Sequence, residues 1–239
     1  MILKCLSFKS QEYPTLDLYP FSLHVFQDSK KITFSNPVTF FSGENGTGKS
    51  TLLKAIAKRC NIHIWDESGK TQLKYNPYTE ELYKFISLTW YDGVVGGSFF
   101  GAEIFKKFAI LLDEWAKTDP GVLDYFGGQS LTTKSHGQSN MQFFANRFNI
   151  KGLYLLDEPE SALSPKTQLE LLKIIRDAVA AGNAQFIIAT HSPILMSYQK
   201  ATIFSFDDTT IKNVLFEDTE CFKVYKDFMT NPKKYRSNF

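Results

Sequence analysis

Eight consecutive residues, Gly43-Glu-Asn-Gly-Thr-Gly-Lys-Ser50, fit the pattern G-x-x-x-x-G-K-[ST]. Glycines let backbone N–H groups turn inward around phosphate oxygens. A helix N-terminus adds partial positive charge at the same place. On this reading Gly43, Asn45, Gly46, Thr47, Gly48, Lys49, Ser50 and Thr51 form a nucleotide cradle. Lys49 reaches the β- and γ-phosphates, and Ser50 ligates Mg²⁺. The flanks agree. "PVTFF" before the loop is a compact β-prone run, and Leu52, Leu53, Ile56 and Cys60 after it recur at helical spacing. A chance glycine-rich turn would need neither flank.

Three further stretches can do chemistry. In "LYLLDEPESALS" an apolar strand ends in Asp157, placed to support the Mg²⁺ hydration shell. Glu158 is the candidate for polarising the attacking water, a role that needs proximity to the γ-phosphate rather than an unusual pKa. By itself the pair could be two solvated acids at a strand end; beside Gly43–Ser50 the chemical reading gains. In "FIIATHSP", His191 follows a buried strand at the carboxyl edge of a sheet, where ligands gather in such folds. It is placed to sense a γ-phosphate and orient water. The fourth stretch is "KSHGQSN", Lys134 to Asn140, just before a helix. Ser135, Gly137 and the helix N-terminus could bind phosphate; taken alone, a polar turn is the simpler reading.

These residues need elements to hold them. Residues 1–36 read as short strands leading into the core. "KFISLTWYD" reads as a strand and "GVVGG" as a loop. Ile104, Phe108, Leu111, Leu112 and Trp115 mark one face of a helix. Residues 117–137 read as loop, and a second helix carries Met141, Phe144, Ala145 and Phe148. "GLYLLDE" and "AQFIIATH" read as buried strands. The helix between them starts at an N-cap, Ser164, with Pro165 in its first turn, and stops at Gly182. "ATIFSFD" and "IKNVLFE" make a late strand pair, and "TECFKVYKDFM" a closing helix. Strands alternating with helices predict a doubly wound α/β core.

The chain has 239 residues, which suits one α/β domain with an inserted subdomain. Hydrophobic residues make up 43%, enough for a sizeable core, and the 22 phenylalanines predict aromatic packing. The net charge of +2 gives no nucleic-acid footprint. Cys5, Cys60 and Cys221 are far apart and form no C-x-x-C, which argues against a disulfide framework or zinc site and suits a reducing compartment. The N-terminus lacks a signal-peptide h-region. No apolar run approaches the roughly 20 residues of a membrane span. A cytoplasmic protein without membrane insertion is expected.

Taken together, the four stretches resemble the ABC-type ATPases, in the order Walker A, signature, Walker B, D-loop and switch histidine. "KSHGQ" stands where that family carries L-S-G-G-Q: Ser135, Gly137 and Gln138 match, while His136 and Lys134 depart. "SALS" matches the D-loop S-A-L-D except at Ser164. More narrowly, "SHGQS", "GLYLLDEPESALSP" and "FIIATHSPIL", with the late "EDTE", look like small bacterial AAA-family ATPases built on the ABC head without a transmembrane half. The resemblance implies a P-loop NTPase with a RecA-like core, an N-terminal antiparallel β subdomain and an inserted helical subdomain. The core would take roughly 1–75 and 150–239, and the insert 76–149. It also implies ATP and Mg²⁺ as ligands and a head-to-tail homodimer. Each ATP would lie between one subunit's Walker motifs and the other's Ser135, Gly137 and Gln138. Hydrolysis would then pass a stroke to a protein or nucleic-acid partner. The family's Q-loop glutamine is not found near Lys84–Trp90, and Gln72 stands too early. The adenine-stacking aromatic is unassigned. Tyr13 and Tyr19 are candidates that suit core or surface equally.

The rivals are weighed on the same residues. A switch GTPase would carry N-K-x-D, which is missing. A small-molecule kinase does not usually pair a P-loop with "LLDEPESALS" and a following histidine. A membrane-transporter motor subunit usually has a stricter signature and a clear Q-loop. An SMC-type DNA-repair head would carry coiled coil, and Cys60–Gly152 holds no sustained heptad run. A coil-free, DNA-associated head stays open, as does a toxin–antitoxin role suggested by family habit alone.

Overall fold

The strand leading into the glycine loop, β3 (Val38–Ser42), is buried at every position. That is what a parallel strand covered on both faces requires. The same holds for β7 (Ala184–Ala189) and nearly so for β6 (Gly152–Asp157). With β5 (Gly97–Gly101), β8 (Ala201–Ser205) and β9 (Lys212–Val214) they form a six-stranded sheet of order β5-β6-β7-β3-β8-β9. All its pairings are parallel except the last. A second sheet, β2-β1-β4, is antiparallel and joins β1 (Leu3–Phe8), β2 (Lys31–Thr33) and β4 (Ile86–Trp90). The computed structural model describes residues 1–65, 76–126, 128–133 and 135–236. Gln72 and Lys134 lie outside the described residues.

The two-residue period of a strand divides the core in two. Phe41, Leu153, Leu155, Ile187 and Ala189 point to one face of the large sheet. There they pack on Leu52, Leu53 and Ile56 of α2 (Lys49–Arg59), which lies between the two sheets. Phe40, Tyr154, Leu156, Phe186 and Ile188 point to the other face. That face is covered by α3 (Ala102–Ala116), α4 (His136–Arg147), α5 (Pro165–Ala180) and α6 (Pro193–Met196). The abundant phenylalanine is spent here. Phe100, Phe105, Phe143 and Phe144 pack ring on ring, with centroids 4.8–5.9 Å apart. The short α1 (His24–Asp28) precedes β2, and α7 (Glu220–Thr230) with α8 (Pro232–Arg236) closes the described chain.

Most expected elements are present, with three corrections. Residues 24–28 are helical rather than strand. The expected "GVVGG" loop ends inside a strand, because Gly97 opens β5. A Cβ on Gly97 would sit 2.0 Å from the Leu153 carbonyl oxygen, so only glycine lets the two strands approach. The span 76–149, expected as a mostly helical insert, contains β4 and β5. Each belongs to a sheet, and the helices begin at Ala102.

Register aligns the strand ends on one line. Phe41 and Asp157 both pair with Ala189, Gly101 pairs with Asp157, and Ser42 pairs with Ser205. The loops that leave these ends therefore meet at one edge of the sheet.

Candidate functional site

Gly43, Gly46 and Gly48 all hold positive φ in the loop between β3 and α2. Gly48 is the tightest: its φ is +103°, and a Cβ there would lie 2.7 Å from the Phe26 ring. The Lys49 ammonium folds back over the loop and donates to the Gly43 carbonyl at 2.5 Å and the Glu44 carbonyl at 2.7 Å. Burial pulls its pKa down, against the opposing pull of Asp207, Glu158, Asp157 and Glu44. A cation folded over a loop with three positive-φ glycines fits an anion's place. Asp207 pins the loop from the next strand end by accepting from the Glu44 amide at 2.7 Å.

The Ser50 hydroxyl donates to Asp157 Oδ1 at 2.7 Å. Burial pushes the Asp157 carboxyl up to about 6, against the lowering effects of the Ser50 hydrogen bond, Lys54 and Lys49. A hydroxyl paired with one carboxylate suits Mg²⁺, which binds through one or two protein oxygens plus phosphate and water. Among the described residues no group of three or more His, Cys, Asp or Glu could hold a metal by itself. The donor set therefore fits a metal that arrives with phosphate. Asp157, Glu158, Ser50 and Gly101 line a cavity of about 130 Å³.

Glu158 holds φ +49°, ψ +53°, left-handed for a residue with a side chain. Such strain costs about 1–3 kcal/mol and persists where the surroundings enforce it. Here the Glu158 amide donates to the Ala189 carbonyl at 2.9 Å. Its Oε1 stands 3.9 Å from Nε2 of His191, a shielded atom without a hydrogen-bond partner among the described residues. Strand register thus brings Ser50, Asp157, Glu158 and His191 to one edge.

The signature-like residues are organised differently. Ser135 caps α4, accepting from the Gln138 amide at 3.4 Å, and Gln138 Oε1 accepts from the Ser135 amide at 3.1 Å. This is a reciprocal capping box. Gly137 lies so close to the turn after β6 that a Cβ would come within 2.7 Å of the Ala162 carbonyl oxygen.

The two candidate tyrosines separate. Tyr13 donates to the Phe26 carbonyl at 3.0 Å and packs on Phe21 and Phe85, a half-buried residue set against the core. Tyr19 is 40% exposed, and its hydroxyl lies 2.6 Å from the Thr51 hydroxyl, beside the loop. The glutamine expected near Lys84–Trp90 would fall on β4, in the other sheet; the strand that ends beside Asp157 is β5, which leads through Gly101 into Ala102. Two acids escaped sequence reasoning. Asp207 lies at the end of a recognisable strand, which was a usable signal. Glu160 accepts from the Thr190 hydroxyl at 2.6 Å and the His191 amide at 2.8 Å, and only the strand register reveals it.

Comparison with known proteins agrees with this geometry. Residues 21–58 match the family model described as "AAA domain", and residues 145–197 match "AAA domain, putative AbiEii toxin, Type IV TA system". The hemin import ATP-binding protein HmuV of Vibrio parahaemolyticus is 30% identical over 176 residues, covering 67% of each chain. A Helicobacter pylori protein named "Probable iron chelatin transport ATP-binding protein" is 26% identical over 223 residues, covering 86% of this chain and 82% of its own. The structure of CbiO1 from Clostridium perfringens, part of an ABC transporter complex, shares the fold at 19% identity and TM-score 0.51, covering 97% of both chains. The ADP conformation of another ABC-transporter cassette shares it at 14% identity and TM-score 0.50, covering 97% and 96%. The fold and edge geometry define a P-loop NTPase with an α/β core. The chain belongs to the ABC-type ATPases and is a head domain of that family.

Proposed function

We propose that the protein binds and hydrolyses ATP with Mg²⁺ in a head-to-tail homodimer and transmits the cycle to a partner protein or nucleic acid. The alignment of the Ser50–Asp157 pair with Glu158 and His191 on one sheet edge carries this reading. Lys49 exchanges its two loop carbonyls for β- and γ-phosphate oxygens, joined by amides of residues 43–51. Tyr19, exposed beside Thr51, offers the base a stacking face. Ser50 and Asp157 hold the metal, which when bound neutralises charge developing on the phosphates. Glu158 accepts a hydrogen bond from the attacking water and aligns it, and His191 donates to the γ-phosphate. Ser135, Gly137 and Gln138 approach the same phosphate from the second subunit, on a helical subdomain that we place at 102–149.

Among the described residues no helix is long and apolar enough to cross a membrane. A second reading, the ATP-binding subunit of an importer, is favoured by the names of its relatives. Among the described residues the strand end beside Asp157 carries Gly101 and Ala102 rather than a glutamine, which weighs against it. The test is steady-state ATPase activity together with two variants. Glu158→Gln is expected to hold ATP without turning it over, and Lys49→Ala to lose ATP binding. An active Glu158→Gln enzyme would remove Glu158 from the mechanism.

A further inference from the structure

Glu160 lies in the short 3-10 turn Pro159–Ala162, two residues after the proposed water-aligning Glu158. Its Oε1 accepts from both the Thr190 hydroxyl, at 2.6 Å, and the His191 amide, at 2.8 Å. Its Oε2 is shielded and has no hydrogen-bond partner among the described residues. A carboxylate oxygen left unpaired away from water costs free energy. Both bonds fall on one oxygen, so a single amide acceptor at this position could take them too. The carbonyl of His191 is held as well: the Cys221 thiol, at the start of α7, donates to it at 2.8 Å. Burial and the nearby charge of Glu160 push the Cys221 thiol up to about 11, so it stays in its donating form. His191 is thus gripped at its N–H and its C=O, which leaves its side-chain torsions as its main freedom. The turn that carries Glu158 and the loop that carries His191 become one unit.

We infer that Glu160 is a positioning residue that sets His191 against Glu158, and that it acts on hydrolysis only through His191. The inference rests on the proposed ATPase reading. Its consequence is an effect on turnover rather than on ATP affinity, because the loop of residues 43–51 is not part of the clamp. Misplacing a catalytic group by about 1 Å costs on the order of 100-fold in rate.

The experiment is a double-mutant cycle on kcat for Glu160→Ala and His191→Ala, with ATP affinity measured separately from a fluorescent analogue. Glu160→Ala is expected to lower kcat by roughly 30- to 100-fold with an unchanged dissociation constant. In the His191→Ala background it should add less than a twofold loss. Glu160→Gln keeps the acceptor and should retain kcat within about threefold. Backbone hydrogen exchange at His191 should rise in Glu160→Ala and stay slow in Glu160→Gln. Equal losses from Glu160→Ala in both backgrounds would overturn the inference, as would a glutamine variant as poor as the alanine one. Should Glu160→Ala fail to fold, Cys221→Ala loosens the other end of the clamp. It is expected to give a smaller kcat loss that also vanishes in His191→Ala; an undiminished loss there contradicts the clamp. A wild-type protein with no ATPase activity overturns the reading beneath as well. An active wild type with independent effects overturns the coupling alone.

Discussion

The sheet edge and the signature segment both carry residues that suggest chemistry, yet they are built on opposite principles. At the edge the polar groups answer to one another across long sequence distances: Ser50 with Asp157, Glu158 with His191, and Lys49 with the carbonyls of its own loop. Several are costly to hold there, notably the left-handed Glu158 and the half-buried Asp157, whose carboxyl desolvation pushes up. Stability alone does not explain them. In the signature segment Ser135, Gly137 and Gln138 each have a sufficient structural reason within one chain. Ser135 and Gln138 cap α4, and Gly137 clears the Ala162 carbonyl. On the proposed reading the edge is a site already assembled, and the segment is a helix start whose chemistry comes from what docks against it.

Four experiments would break or sharpen that contrast. The largest effect is expected at Lys49. Lys49→Ala should weaken ATP binding at least about 1,000-fold, equivalent to about 4.1 kcal/mol, in a fluorescence titration. The cost of the edge should be visible next, through Asp157. Its folded pKa is raised from 3.8 to about 6. In metal-free buffer the folded state therefore binds more protons than the unfolded state between about pH 4 and pH 6. Stability should be fully present below that window and fall by up to about 3 kcal/mol as pH rises through it. Asp157→Asn should remove the slope in denaturant titrations and abolish any extra protection that Mg²⁺ adds to ATP. For the segment, Gly137→Ala should cost about 1–3 kcal/mol through the clash with Ala162, read as a lowered melting temperature. The smallest effect is Ser135→Ala, about 1 kcal/mol for the lost cap. Ser135→Asp should restore the cap while placing a negative charge where a phosphate would approach. Equal ATPase activity in the Asp and wild-type proteins would reduce the segment to a helix start and nothing more.

Much of this was legible beforehand, for physical reasons. The glycine loop announces itself because positive φ demands glycine at fixed spacing. Buried parallel strands read as unbroken apolar runs, and Ser164-Pro165 marks a helix start by capping chemistry. What escaped depended on contacts between distant residues. Gly97–Gly101 looked like a loop running into a helix, because a five-residue strand bounded by glycines and continuous with α3 carries no periodic signal of its own. Sequence alone does not separate Tyr13 from Tyr19, since the five residues between them decide which one turns inward. Glu160 reads in sequence as another acid after a strand; only the alignment of Asp157 with Ala189 places it against the His191 backbone.

The central claim is that the assembled edge is half of a catalytic site and that a second chain's signature segment completes it. Light scattering on Glu158→Gln, with and without saturating ATP and Mg²⁺, tests this most directly. A shift from monomer to dimer on adding nucleotide, lost when Ser135→Asp is combined with it, is the predicted result. A Glu158→Gln protein that binds ATP and stays monomeric would contradict the account.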